Sequence, residues 1–205
     1  MTDSATSTPA EMAWSTLMYR PVAYIDPARL AAVFGGTVTI ALCERLRAAE
    51  RLQDRLSAMI MAFYALKAPL DPGKTAADDR RVALTPPERT AELVRRAGAI
   101  FYADAIASAV RADDVRRLRA HLGEGLYAFA LANRDLSGPS RGVTIVAGTD
   151  VVDDQGLRCL AAWCRSQPEA VGARVRLKSP PSAALDGLDT AVIDIGPAIV
   201  RRAAG

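Results

Sequence analysis

The sequence predicts a mainly α protein: a compact orthogonal helical domain with at most a small β element. Three observations support this fold class. Apolar residues recur at spacings of three to four through most of the chain, which is the period of an amphipathic helix. Prolines stand where helices commonly begin, as at Asp26-Pro27 and Pro86-Pro87. Only one short segment, residues 142–148, is rich in β-branched residues.

Length and composition predict a folded globular chain. It has 205 residues, 50% of them hydrophobic, and its charges are spread along the sequence. A domain of this size buries well over half of its unfolded surface. We expect residues 1–20 to form an N-terminal leader and short helix. Residues 21–205 should form a single helical domain with a Pro/Gly-rich loop near 68–86.

Helix signals are clear in the first half of the chain. A short helix is predicted from Glu11 to Arg20, with three large apolar residues on one side: Trp14, Leu17 and Met18. Asp26 should cap a second helix, which Gly35-Gly36 should end because glycine tolerates positive φ. Residues 37–67 contain neither Pro nor Gly and predict one long amphipathic helix.

The middle of the chain predicts two more helices. Thr85-Pro86-Pro87-Glu88 combines a capping hydroxyl, a proline for the first turn and a glutamate three residues on, so a helix should run from here to about Val110. Residues 112–131 keep helical spacing despite Gly123 and Gly125. These two glycines predict close helix packing or a bend.

The last third mixes one extended segment with helices. Residues 142–148 favour a strand. Thr149-Asp150 should begin a helix that ends before Pro168, and Pro168 itself can open the next one. Residues 179–205, which contain several Pro and Gly, predict short helices packed on the body.

Composition argues against membrane insertion and export. The longest apolar run, Leu56 to Leu66, lies between Arg55 and Lys67 and is shorter than the roughly 18 residues that a membrane span needs. The N-terminus is polar and acidic, unlike a signal peptide. We therefore expect a soluble cytoplasmic protein whose three cysteines are free thiols.

No residue pattern predicts a catalytic, metal or cofactor site. Gly73-Lys74-Thr75 resembles the end of a phosphate-binding loop, but the earlier glycine is missing and prolines interrupt the segment. His121 is the single histidine, so a metal site or a catalytic triad would need partners from distant segments. Neighbouring aspartates such as Asp113-Asp114 more plausibly lie at helix starts.

The densest basic cluster is the one candidate for partner binding. It consists of Arg111, Arg116, Arg117 and Arg119. Such a cluster can dock an acidic partner or a nucleic acid, or it can simply be a solvated helix face, which is the more common case. The interleaved acidic residues and the low aromatic content of 5% argue against nucleic acid.

Three passages resemble the K subunit of the type III secretion sorting platform, the SctK family that includes the Yersinia-type YscK proteins. The first is residues 20–30, RPVAYIDPARL. The second is residues 93–106, LVRRAGAIFYADAI, continuing to Val115-Arg-Arg-Leu118. The third is residues 156–165, GLRCLAAWCR, followed by Val175-Arg-Leu177.

The resemblance implies a non-enzymatic cytoplasmic adaptor without catalytic residues or cofactors. It would link the cytoplasmic domain of the D-type inner-membrane ring subunit to the Q-type pod subunit, and would lie at the inner membrane only through these partners. The alternative is a nucleic-acid-binding helical regulator that uses the residues from Arg111 to Arg119. Its binding would weaken steeply with salt. An enzyme built around His121 would require a pocket that joins this residue to a cysteine or carboxylate.

Overall fold

A computed structural model gives the fold and describes residues 8–139, 150–187 and 189–205. Within these ranges the chain forms thirteen α-helices and no strand, so the prediction of a mainly α fold is confirmed. The helices are α1 (Pro9–Tyr19), α2 (Pro27–Val33), α3 (Ile40–Ala48), α4 (Gln53–Phe63), α5 (Ala77–Ala83), α6 (Pro87–Phe101), α7 (Ala103–Ala107), α8 (Ala112–Leu122), α9 (Glu124–Ala132), α10 (Asp150–Ser166), α11 (Glu169–Arg176), α12 (Ala183–Asp186) and α13 (Gly196–Ala204). The strand predicted at residues 142–148 lies outside the described residues.

The chain divides into two compact units. Unit 1 contains Met1–Pro87 and Pro168–Pro180, and unit 2 contains Glu88–Gln167 and Pro181–Gly205. The short segment that carries α11 therefore packs with the N-terminal part of the chain, against α1 and α5. The predicted boundary at residue 20 and the predicted single domain over residues 21–205 stay predictions.

Unit 1 begins with a well-capped helix. The Thr8 hydroxyl accepts from the Glu11 N–H at 3.3 Å, and the Glu11 carboxylate accepts from the Thr8 N–H at 2.7 Å, which completes a capping box. The predicted apolar side of α1 is buried: Trp14, Leu17 and Met18. Asp26 caps α2 as predicted, through the Ala28 N–H at 2.8 Å.

A buried arginine connects separate segments of unit 1 through hydrogen bonds. Arg174 on α11 is 0% exposed, and its guanidinium donates to the main-chain oxygens of Met18 at 3.1 Å, Lys67 at 3.0 Å and Ala170 at 2.8 Å. Met18 lies in the last turn of α1, where carbonyls have no partner within the helix. The arginine therefore satisfies a helix end and two further carbonyls. Burial lowers the pKa of its guanidinium.

Lys178 and Arg29 have the same role nearby. The Lys178 ammonium donates to the oxygens of Ala83, at the end of α5, and Thr85, at 2.6 and 2.7 Å. Arg29 donates from Nε to the Ser179 oxygen at 2.7 Å. Each cation meets a partial negative charge of the main chain, so unit 1 depends on the segment Pro168–Pro180 for these contacts.

The long helix predicted over residues 37–67 is wrong. The chain forms α3 and α4, separated by an extended Ala49, with ψ of 98°, and a 3₁₀ turn at Glu50–Leu52. The Gln53 side chain donates to the Arg47 oxygen and so satisfies a carbonyl of the last turn of α3. The change of direction lets α3 pack on α2 while α4 packs on α2 and on the turn Pro21–Ala23. Tertiary packing thus overrides the helix propensity of the linker.

The loop predicted near residues 68–86 is only partly irregular. It contains a 3₁₀ turn at Pro72–Lys74 and the helix α5. The Thr85 hydroxyl donates back to the Arg81 oxygen at 3.3 Å, at the end of α5, although sequence predicted it as the cap of α6. The predicted start of α6 at the proline pair is nevertheless confirmed, since α6 begins at Pro87.

Unit 2 is organised around a close crossing of α6 and α10. A Cβ atom added to Gly98 would lie 1.8 Å from the Val152 oxygen, and one added to Gly156 would lie 1.9 Å from the Val94 oxygen. Both glycines are therefore required for backbone to meet backbone at this point. α10 also packs along α13 and α12, and Trp163 on α10 is 0% exposed.

Two predicted helices of unit 2 are shorter than expected. The helix predicted to reach Val110 ends at Phe101, because the Phe101 oxygen accepts from the Ser137 hydroxyl at 3.1 Å and from the Gly138 N–H at 2.9 Å. The helical stretch predicted over residues 112–131 breaks at Gly123, whose φ is +78°. The bend predicted there is confirmed. α10, α11 and the short C-terminal helices agree with their predictions.

Candidate interaction surfaces

The predicted basic cluster lies on α8 of unit 2. Arg111 precedes the helix, and it is exposed together with Arg116, Arg117 and Arg119, while Leu118 is buried beneath them. Arg116 pairs with Asp113, and the Arg119 Nε lies 3.6 Å from a Glu124 carboxylate oxygen. Two of the four cations thus have a nearby acid; among the described residues, Arg111 and Arg117 show none.

The helix that follows is apolar on all sides. α9 has the sequence EGLYAFALA, in which Glu124 is the single charged residue. A helix of this kind is normally enclosed by other elements. Here only Tyr127 and Ala130 are buried, whereas Leu126 and Phe129 are half-buried and Leu131 is 36% exposed. The rest of its apolar surface faces outward.

Part of this apolar surface lines a groove between α6 and α9. It has a volume of about 330 Å³. Its lining, which defines the α6–α9 groove, is Glu92, Arg95, Arg96, Leu122, Gly125, Leu126 and Phe129. Aliphatic and aromatic side chains from the end of α8 and from α9 form one wall, and the charged side of α6 forms the other.

The two arginines of the groove are held differently. Arg95 makes a bidentate ion pair with Asp153, with Nε–Oδ1 at 3.0 Å and Nη2–Oδ2 at 2.9 Å. This hydrogen bonding raises the pKa of the Arg95 guanidinium. The Arg96 guanidinium lies over the Phe129 ring, 4.2 Å from its centroid. No described carboxylate forms an ion pair with Arg96.

Unit 1 has a cleft of its own, of about 290 Å³. It is lined by Ala10, Glu11, Trp14, Pro72, Gly73, Arg80 and Leu84. The Trp14 indole N–H donates to the Leu70 oxygen at 2.8 Å, and Arg80 donates to the Pro72 oxygen at 2.9 Å and the Thr75 oxygen at 2.8 Å. Trp14 and Arg80 thus donate hydrogen bonds to main-chain oxygens of the same unit, and these bonds fix the shape of the cleft.

The segment that resembles a phosphate-binding loop forms one side of this cleft. The Gly73 N–H donates to the Asp71 carboxylate at 2.7 Å, so an amide that a phosphate would need is already bonded to an acid. Lys74 is exposed at the end of a 3₁₀ turn. The segment therefore does not present the free main-chain amides with which a phosphate-binding loop holds an anion.

His121 and the cysteines line neither the α6–α9 groove nor the cleft of unit 1. His121 is exposed on α8, with Nδ1 2.9 Å from the Arg117 oxygen. The three thiols are buried, and burial raises the pKa of Cys159 to about 12. In the part of the chain that the structure describes, no three His, Cys, Asp or Glu side chains gather in a way that could hold a metal ion. Among the described helices, none combines the length and apolar character needed to cross a membrane.

The sequence predicts the basic cluster on α8 but not the groove. Leu122, Leu126 and Phe129 fall within residues 112–131, where the sequence shows only helical spacing, because their proximity to Arg96 depends on the tertiary fold. The available signal was the composition of α9, which leaves no polar face for solvent.

The chain matches a known protein family. A family model described as YOP proteins translocation protein K (YscK) matches residues 12–194. The matched range includes most of both units. Among curated proteins and among solved structures, nothing matches the chain at a significant level.

Proposed function

We propose, starting from the fact that the chain belongs to the YscK family of type III secretion translocation proteins, that it is a structural adaptor of the cytoplasmic sorting platform. In this role it links the cytoplasmic domain of the D-type inner-membrane ring subunit to the Q-type pod subunit. It is cytoplasmic and reaches the inner membrane only through its partners. The observation that carries the proposal is the match over residues 12–194, which also bears out the resemblance stated from the sequence.

The surface chemistry supports an adaptor. A connector needs two contact surfaces. Among the described residues, unit 1 offers the cleft beside Trp14 and unit 2 offers the α6–α9 groove. The groove combines an apolar wall with a charged wall, and apolar surface edged by polar groups is typical of protein–protein contacts. The family is a structural one and is not a known enzyme family.

A nucleic-acid-binding regulator is the weaker alternative. Arg116 and Arg119 of the basic cluster each lie beside an acid, which reduces the positive field that phosphates would meet. The other two arginines of the cluster are separated along the chain, since Arg111 precedes α8 and Arg117 lies in its middle.

Capture of purified partners tests the adaptor directly. The full chain is immobilised and offered the D-type cytoplasmic domain and the Q-type subunit of the same cell, separately and together, at low and at moderate salt. We expect specific capture of both, and capture of the second partner in the presence of the first. A folded chain that captures neither contradicts the adaptor. Binding to duplex DNA that weakens steeply with salt would instead favour the regulator.

A further inference from the structure

We propose that the α6–α9 groove binds an acidic amphipathic helix of a partner protein. This inference rests on the proposed adaptor function, for which it names one contact surface and the chemistry of the segment that fills it. Three features of the groove support it: its partly exposed apolar wall, its dimensions and its charge.

The residues that the structure describes bury the apolar wall only in part. α9 is apolar on every side, yet only Tyr127 and Ala130 of its nine residues are buried. Leu126 and Phe129 line the groove half-buried, and Leu122 joins them from the end of α8. Exposed apolar surface that is continuous and edged by charges marks a contact site rather than ordinary surface.

The dimensions fit a helix. The groove volume of about 330 Å³ accommodates one or two large apolar side chains. The nine residues of α9 extend over roughly 14 Å at 1.5 Å per residue, which is two to three helical turns. A partner helix of similar length would insert side chains spaced three or four residues apart, which is the usual pattern of helix-in-groove recognition.

The charge selects an acidic partner. The rim contributes the cations Arg95 and Arg96 against the single acid Glu92. Arg95 is already paired with Asp153, so its charge is largely compensated. The face of the Arg96 guanidinium rests on Phe129, while its N–H groups have no described acid partner. A partner carboxylate in the plane of this guanidinium would form the charge-assisted hydrogen bonds that it lacks.

Other occupants fit less well. Phosphates of a nucleic acid would meet the apolar wall and the Glu92 carboxylate, which offer them no compensating contact. A helix with a basic polar face would place its cations against Arg96. The observations therefore favour one occupant, and the remaining ones become outcomes of the test.

Site-specific crosslinking in the native cell identifies the occupant. The full chain carries Leu126→benzoylphenylalanine in the groove or, as control, Val110→benzoylphenylalanine at a residue that is 91% exposed and outside the groove. Mass spectrometry then sequences the crosslinked peptide. We expect the Leu126 probe, and not the Val110 probe, to capture an acidic amphipathic helical segment of another polypeptide. Capture of a second copy of this chain, of nucleic acid or of a basic segment, or no capture above the control, overturns the proposal.

Charge reversal tests the role of Arg96 in binding the identified partner. Arg96→Glu should weaken binding at least ten-fold, and Arg96→Lys should weaken it less, because lysine keeps the charge but not the planar donor set. Arg55→Glu, at an exposed position of unit 1, is the control for net charge and should bind as the unmodified chain does. Unfolding curves of all variants show that each is folded. Equal binding by Arg96→Glu and Arg55→Glu would overturn the proposal.

The two proposals fail in different ways. If the crosslinked segment is an acidic helix of a protein other than the D-type or Q-type subunit, the groove assignment stands and that adaptor role loses its support. If the chain captures both subunits and Arg96→Glu reduces neither, the adaptor stands and the groove assignment fails.

Discussion

Arg174 is a buried cation held by main-chain oxygens. Its guanidinium reaches Met18, Lys67 and Ala170, which belong to three separate segments of unit 1. A buried carbonyl that loses its hydrogen-bond donor costs about 1–3 kcal/mol. Arg174→Met, which keeps the aliphatic stem, should therefore lower the free energy of unfolding by roughly 3 kcal/mol. Urea denaturation followed by circular dichroism measures this change as a lower midpoint with an unchanged slope.

Arg176 supplies the matched control on the same helix. It is partly exposed, and its buried Nε has no hydrogen-bond partner among the described residues. Arg176→Met should therefore change the free energy of unfolding by less than about 1 kcal/mol. Equal losses in the two variants would mean that the carbonyl contacts of Arg174 are not what stabilises unit 1.

At the scale of elements, unit 2 depends on the glycines where α6 and α10 cross. Because the Cβ of an alanine at position 98 would overlap the Val152 oxygen, Gly98→Ala must push the two helices apart. Overpacking of this kind costs about 1–3 kcal/mol or more. We expect Gly98→Ala to lower the free energy of unfolding by at least about 2 kcal/mol, as measured by thermal and urea denaturation.

Gly125 on α9 is the control for this substitution. Nothing lies within 4 Å of the Cβ that an alanine would add there. Gly125→Ala should therefore raise the free energy of unfolding by up to about 1 kcal/mol, since alanine favours helix more than glycine does. A loss at Gly125 similar to that at Gly98 would point to a general effect of glycine replacement and against a close crossing.

The helices also show how much of the fold could be predicted from the sequence. The sequence predicts the start of α2 from the capping side chain of Asp26 and the start of α6 from the proline pair, because both signals act within one turn. The sequence does not predict the helix ends at Ala49 and Phe101. At the first, the Gln53 side chain donates to a carbonyl of the last turn of α3. At the second, the Phe101 oxygen accepts from Ser137, which is distant in sequence. The basic cluster on α8 was visible as a run of arginines. The groove was not, because its walls come from separate helices.

At the scale of the whole chain, the segments that carry the family resemblance meet within each unit. In unit 1 the Asp26 N–H donates to the Leu177 oxygen at 2.8 Å, which joins the first resembling passage to the last. In unit 2 Gly98 and Gly156 meet at the helix crossing, which joins the second passage to the third. The resemblance thus falls largely on residues that build the two cores. Arg95 and Arg96 of the second passage also line the α6–α9 groove, the proposed contact surface of unit 2.

Unit 1 is made from two parts of the chain that are far apart in sequence, and its stability should depend on both. Residues 1–87 alone lack α11 and the cations Arg174 and Lys178, so carbonyls at the ends of α1 and α5 lose their donors. We expect this fragment to show helical circular dichroism without a cooperative urea transition. Residues 1–87 joined to residues 168–180 by a flexible Gly/Ser linker of about 20 residues should regain that transition. The same fusion with Arg174→Met should unfold at a lower urea concentration. If fragment 1–87 unfolds cooperatively on its own, residues 168–180 contribute little to the stability of unit 1.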